Sequence, residues 1–99
     1  VNPNVVTKNE QLTTALHIAA ANNNEEIGKL LIEANANVNA IQATGETPLH
    51  FAAQYGNIDF IVALLENGAD TRIINISGLA PMDLAFEKGH KEIAEILKN

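Results

Sequence analysis

The chain repeats itself at one fixed interval. Thr14-Ala15-Leu16-His17-Ile18-Ala19-Ala20 returns as Thr47-Pro48-Leu49-His50-Phe51-Ala52-Ala53, and again as Ala80-Pro81-Met82-Asp83-Leu84-Ala85-Phe86, each copy 33 residues after the last. A constant period of this length denotes stacked supersecondary units, each too small to bury an apolar face alone. Such stacks present an extended surface and seldom enclose a catalytic cavity. The period therefore bounds function as well as fold.

The middle copy is the most legible. Gly45-Glu46-Thr47-Pro48 gives a turn and then a helix start, with Thr47 as N-cap and Pro48 at the first helical position, where its missing N–H costs nothing. Leu49, Ala52 and Ala53 fall at helical spacing, and Gly56 supplies a left-handed stop. Asn57 is expected to cap a second helix, with Asp59 in its first turn. Ile58, Ile61, Val62, Leu64 and Leu65 make that helix apolar on more than one side, so it should be wedged between neighbours. Gly68 ends it. Residues 69–78 are too short and broken for a third helix and read as an extended, hairpin-like connection.

The outer copies vary this pattern in ways that physics can read. Asn23 stands where the others have Gly56 and Gly89, and Asn35 stands in place of Gly68. Asparagine is the next most tolerant residue for left-handed backbone, so both exchanges preserve the expected geometry. In the last copy Ala80 replaces the threonine N-cap, a loss of about 1 kcal/mol. Its second helix keeps Ile93, Ile96 and Leu97 for the core and turns Lys91, Glu95 and Lys98 outward. A stack needs a polar outer face on its terminal unit, so this copy reads as a C-terminal cap.

Composition narrows the function classes. The chain carries a formal charge of −6 with only six basic residues, which argues against nucleic acid as partner. It has no cysteine, so neither disulfides nor thiolate metal sites are available, in keeping with an intracellular, cytoplasmic location. No run approaches the roughly 18 apolar residues of a membrane span, and the opening residues lack signal-peptide character. Direct membrane insertion is not expected.

At the residues now on the page the chain resembles the ankyrin repeat family. The family pattern Gly-x-Thr-Pro-Leu-His-x-Ala-Ala followed by Gly-Asn is met by Gly45, Thr47, Pro48, Leu49, His50, Ala52, Ala53, Gly56 and Asn57. Leu64, Leu65, Gly68, Ala69 and Asp70 continue it, and Asn37-Val38-Asn39-Ala40 match in the first copy. The resemblance implies an all-α solenoid of stacked helix-turn-helix units joined by hairpin-like loops. It places the tail of a preceding repeat at residues 1–8, full repeats at 9–41 and 42–74, and a capping repeat at 75–99. Since Pro3 to Asn9 fall where the family has a hairpin, a fragment of a longer array is expected. The N-terminal repeat would then expose apolar surface around Ile18 and Leu30, a candidate face for self-association.

Each polar candidate is weighed against a plain structural role. His17 and His50 recur in phase and read as satisfied packing histidines, while His90 reads as a cap or surface residue. Glu25, Glu26, Asp59 and Glu92 begin second helices, where negative charge meets the helix dipole. No metal-ligand spacing and no phosphate loop is present, so no catalytic residue, metal or cofactor is assigned and the segment is not expected to be an enzyme. Asn39, with Leu31 eight residues before it, resembles asparagines hydroxylated in some animal members of the family; the unmodified side chain is the preferred reading.

Binding is the better-supported role. The resemblance implies that a partner protein meets the hairpin tips and the exposed side of the first helices on the concave face. Carried onto this chain, the tips are Glu10, Gln11 and Thr13, then Ala43, Thr44 and Glu46, then Ile76, Ser77 and Leu79. The helix positions are Asn22, Gln54, Tyr55, Glu87 and Lys88. Tyr55, Ile76 and Leu79 stand out as large groups of the kind that anchor interfaces. For Ile76 and Leu79, packing between hairpins is an equal alternative. A regulatory or spacer segment of a larger enzyme, channel or effector is the rival reading, and a small-ligand site between helices and hairpins is a second.

Overall fold

In a computed structural model of the chain, residues 8–98 are described, with side chains from Ala15 onward. Six helices follow in order: α1 (Lys8–Ala21), α2 (Glu25–Glu33), α3 (Pro48–Tyr55), α4 (Ile58–Glu66), α5 (Pro81–Glu87) and α6 (Lys91–Leu97). No strand occurs among the described residues. They form three helix pairs. The first helices pack in a row, α1 on α3 on α5, while α2 packs on α4. The molecule measures 45 × 29 × 21 Å, elongated as a stack should be.

Local signals place the helix ends. Thr47 is extended, and its hydroxyl accepts from the His50 N–H (3.2 Å) while its own N–H donates to His50 Nδ1 (3.0 Å). The imidazole thus fills the place that Glu or Gln takes in a capping box. Asn23 (φ 54°) adopts the left-handed backbone of Gly56 and Gly89, and Asn35 (φ 74°) that of Gly68, as the in-phase exchange requires. In the third unit Ala80 has no acceptor to offer. Half of the box survives there, because Asp83 Oδ2 accepts from the Ala80 N–H at 2.9 Å.

The core runs through the stack as one cluster. Leu16, Leu49, Phe60, Ile61, Leu64, Ile93 and Leu97 are buried, with small alanines at positions 19, 20, 52, 53 and 85 between the first helices. Gly28 lies against the Phe60 ring, and a Cβ there would stand 2.5 Å from Phe60 Cε2. α2 and α4 meet at that point.

Three expectations are corrected. Residues 8–14, expected to hold a repeat tail and a hairpin tip, are helical backbone at the start of α1, so Glu10, Gln11 and Thr13 lie on a helix. The reason is in the sequence: Leu12 stands where Gly45 and Gly78 turn the chain, and Ala15 where Pro48 and Pro81 bar helix from the residue before. The expected preceding-repeat segment at residues 1–7 lies outside the described residues. Asn57 occupies the N-cap of α4 without capping it; its side-chain amide donates instead to the Ala20 carbonyl of the first unit. Ile96 is exposed rather than buried, and Phe86 is 72% exposed.

Candidate partner-binding face

The connections between units are ordered hairpin-like turns. In the first, the Gln42 N–H donates to the Glu46 carbonyl (3.0 Å) and the Gly45 N–H to the Gln42 carbonyl (2.8 Å). The same bonds return in phase, Asn75 to Leu79 and Gly78 to Asn75, both at 2.9 Å. The tips are joined side by side, since the Ile76 N–H donates to the Thr44 carbonyl at 2.9 Å. Gly45 permits that approach: it has a left-handed φ of 80°, and a Cβ would lie 3.1 Å from the Asn75 Cα. Asn39 adds a second tie, donating to the Gly68 carbonyl (3.1 Å) and accepting from the Asp70 N–H (2.7 Å).

Histidines lock the turns to the helices. His17 Nε2 lies 2.9 Å from the Glu46 carbonyl and His50 Nε2 lies 2.9 Å from the Leu79 carbonyl. A carbonyl only accepts, so each Nε2 carries the proton. The His17 ring also meets Phe51 edge-on, with centroids 5.6 Å apart. His50 Nδ1 accepts from Thr47, and burial holds its pKa below the ordinary histidine value. His90, expected as a cap or surface residue, makes a third tie of this kind, to the Gln54 carbonyl at 3.2 Å. With Nε2 protonated, none of the three rings presents that nitrogen as a base or a metal ligand. Among the described residues no group of three possible metal ligands gathers, and no helix is long and apolar enough to cross a membrane.

Three helix pairs, bound in phase through their turns, match the expectation raised by the sequence. A family model for ankyrin repeats (three copies) covers residues 1–75 and 42–99. The chain belongs to the ankyrin repeat family. No curated protein matches it at a significant level. Ankyrin repeats are in general protein–protein interaction modules, and the family is typically non-catalytic.

On this ankyrin stack the expected contact residues divide. Ala43, Thr44, Ser77, Asn22, Glu87 and Lys88 are exposed, while Glu46 and Gln54 are half-buried. The Glu46 carboxylate accepts from the Thr44 hydroxyl at 3.0 Å. Tyr55 is 53% exposed and Ile76 78% exposed, so Ile76 does not pack between hairpins. Leu79 is half-buried and lines a groove at the far end of the stack beside Glu87. The hydrogen bonds bring Thr44, Glu46 and Ile76 together at the tips. Glu10, Gln11 and Thr13, on α1, do not join them as a hairpin.

Proposed function

We propose that this ankyrin stack recognises a partner protein through the two joined hairpin tips and the exposed ends of the first helices, with no chemistry of its own. The observation that carries this reading is the pair of large groups left in solvent on a hydrogen-bonded scaffold, Ile76 at a tip and Tyr55 at the end of α3. Such groups are held out at a cost in solubility, and tyrosine is enriched among interface anchors. Rigid turns also lower the ordering cost of binding. Thr44, Glu46 and Ser77 supply polar contacts around Ile76; Asn22 and Lys88 stand in phase with Tyr55, and Gln54 precedes it in α3. The repeat boundaries at residues 9–41, 42–74 and 75–99, and an intracellular location, belong to the same reading.

The test is affinity capture with the full chain beside Tyr55→Ala/Ile76→Ala. Both side chains are exposed, so the double variant should melt as the parent does while losing the captured partner by about tenfold or more. Undiminished capture by the variant would remove these residues from the site. A separate reading, as a segment that packs on its own parent chain, would show as capture of that chain alone by the same surface.

A further inference from the structure

The end of the stack formed by α5 and α6 carries a groove of about 610 Å³. Its floor is apolar, built from Leu79, Met82, Phe86 and Ala94. Phe86 is its most informative residue. The in-phase positions in the other units are Ala20 and Ala53, both 0% exposed, on first helices that each pack against the next first helix. Phe86 is 72% exposed and far larger.

Two features set this face apart from a further turn of the same stack. An alanine at that position lets neighbouring first helices approach, and a phenylalanine ring in its place would overpack the contact. Asp83 stands where His17 and His50 donate to the following turn, and a carboxylate has no proton to give; its Oδ2 is already turned back to Ala80. A regular successor would therefore meet neither the space nor the donor that the inner units provide.

Charge argues for the kind of occupant. Asp83, Glu87 and Glu95 stand around the groove, with Lys98 as the single cation lining it. A second copy of this chain, at net charge −6, is a poor match. Its own exposed apolar residues Ile27 and Leu30 sit in α2 among Glu25, Glu26 and Glu33, with Lys29 as the one cation there and already paired with Glu25 at 2.8 Å, and like charges across an interface are unfavourable. α5 spans seven residues, roughly 10 Å at the helical rise, which suits about two turns of a partner helix.

We propose that the groove between α5 and α6 is a second docking site, taking a basic amphipathic helix of a partner protein with its apolar side on Phe86 and Met82. This site is independent of the face formed by Tyr55 and Ile76. Fluorescence polarisation with the full chain tests it, using three labelled peptides of equal length. One is an amphipathic Leu/Lys/Ala helix, the second has Glu for every Lys, and the third has Ser for every Leu. The first should bind about tenfold tighter than either other, and Phe86→Ala should weaken it about tenfold. Glu95→Lys should weaken it as well, and Tyr55→Ala should leave it unchanged. Phe86 is exposed, so the melting curve of Phe86→Ala should match the parent. Equal binding of the Glu or Ser peptide, or full binding to Phe86→Ala, would overturn the proposal. So would sedimentation showing pairs of this chain that Phe86→Ala dissociates, since the occupant would then be a second copy.

Discussion

The three histidines, Asn39 and Asn57 share a habit: each spends its side chain on a backbone group of another unit. At the turns the histidine adds a second bond to a carbonyl that already accepts a backbone N–H, Glu46 from Gln42 and Leu79 from Asn75, at a net gain of about 1 kcal/mol each. At His50 this has a pH signature. Burial disfavours the charged ring, and a proton on Nδ1 would confront the Thr47 N–H. The unfolded chain, with an ordinary pKa of about 6.5, binds the proton first as pH falls. The contribution of His50 is therefore complete above that value and is lost progressively below it, toward the folded-state pKa. Urea unfolding from about pH 7.5 to about pH 5 should show stability declining with acid, and His50→Gln should flatten the decline. An unchanged slope would contradict this role. Backbone conformation is equally specific at Asn23, whose left-handed φ should make Asn23→Ala less stable by about 1 kcal/mol and Asn23→Gly no less stable than the parent. Equal melting of the alanine variant would show that the strain is relieved elsewhere.

Among the elements, α3 to α6 were legible because Thr-Pro or Ala-Pro starts each first helix and a left-handed glycine stops it. The first turns of α1 were not. Its in-phase match to Thr14 hid the fact that Leu12 and Ala15 remove both devices that break the helix in later units. Caps were read from local sequence alone, which cannot see that the Ala20 carbonyl lies within reach of Asn57. Exposure of Tyr55 follows from its place at a helix end. Leu79 resisted, because it is half-buried at the rim of a groove that it shares with Met82 and, from α6, Ala94. Phe86 falls inside a repeated motif, and its size at an alanine position is the signal that sets it apart. The meaning of Gly28 lies likewise outside its own helix, in the facing Phe60. Helix propensity alone favours Gly28→Ala by roughly 1 kcal/mol. The added methyl would strike the fully buried Phe60 ring, which has no free space to enter, at a cost of about 1–3 kcal/mol. Denaturation should show net destabilisation, relieved when Phe60→Leu is added. A stabilised single variant would mean that α2 and α4 separate easily.

For the whole molecule the consequence of periodicity is one-dimensional order. Each unit touches only its neighbours, so stability is a sum of units and interfaces, and the unit with two neighbours is the best held. Here that is α3 with α4, where Leu49, Ala52, Ala53, Ile61 and Leu64 are all wholly buried. The outer units keep large apolar groups in water, Ile18 and Leu30 on one and Phe86 on the other. Their openings should be the cheaper ones. The same arrangement leaves the turn edge and the end groove as separate surfaces, so that binding at one need not close the other. Native-state hydrogen exchange, resolved by residue, tests the stack most directly. Protection should be greatest in α3 and α4 and lower in both α1–α2 and α5–α6; greatest protection in an end pair, or equal protection throughout, would contradict it.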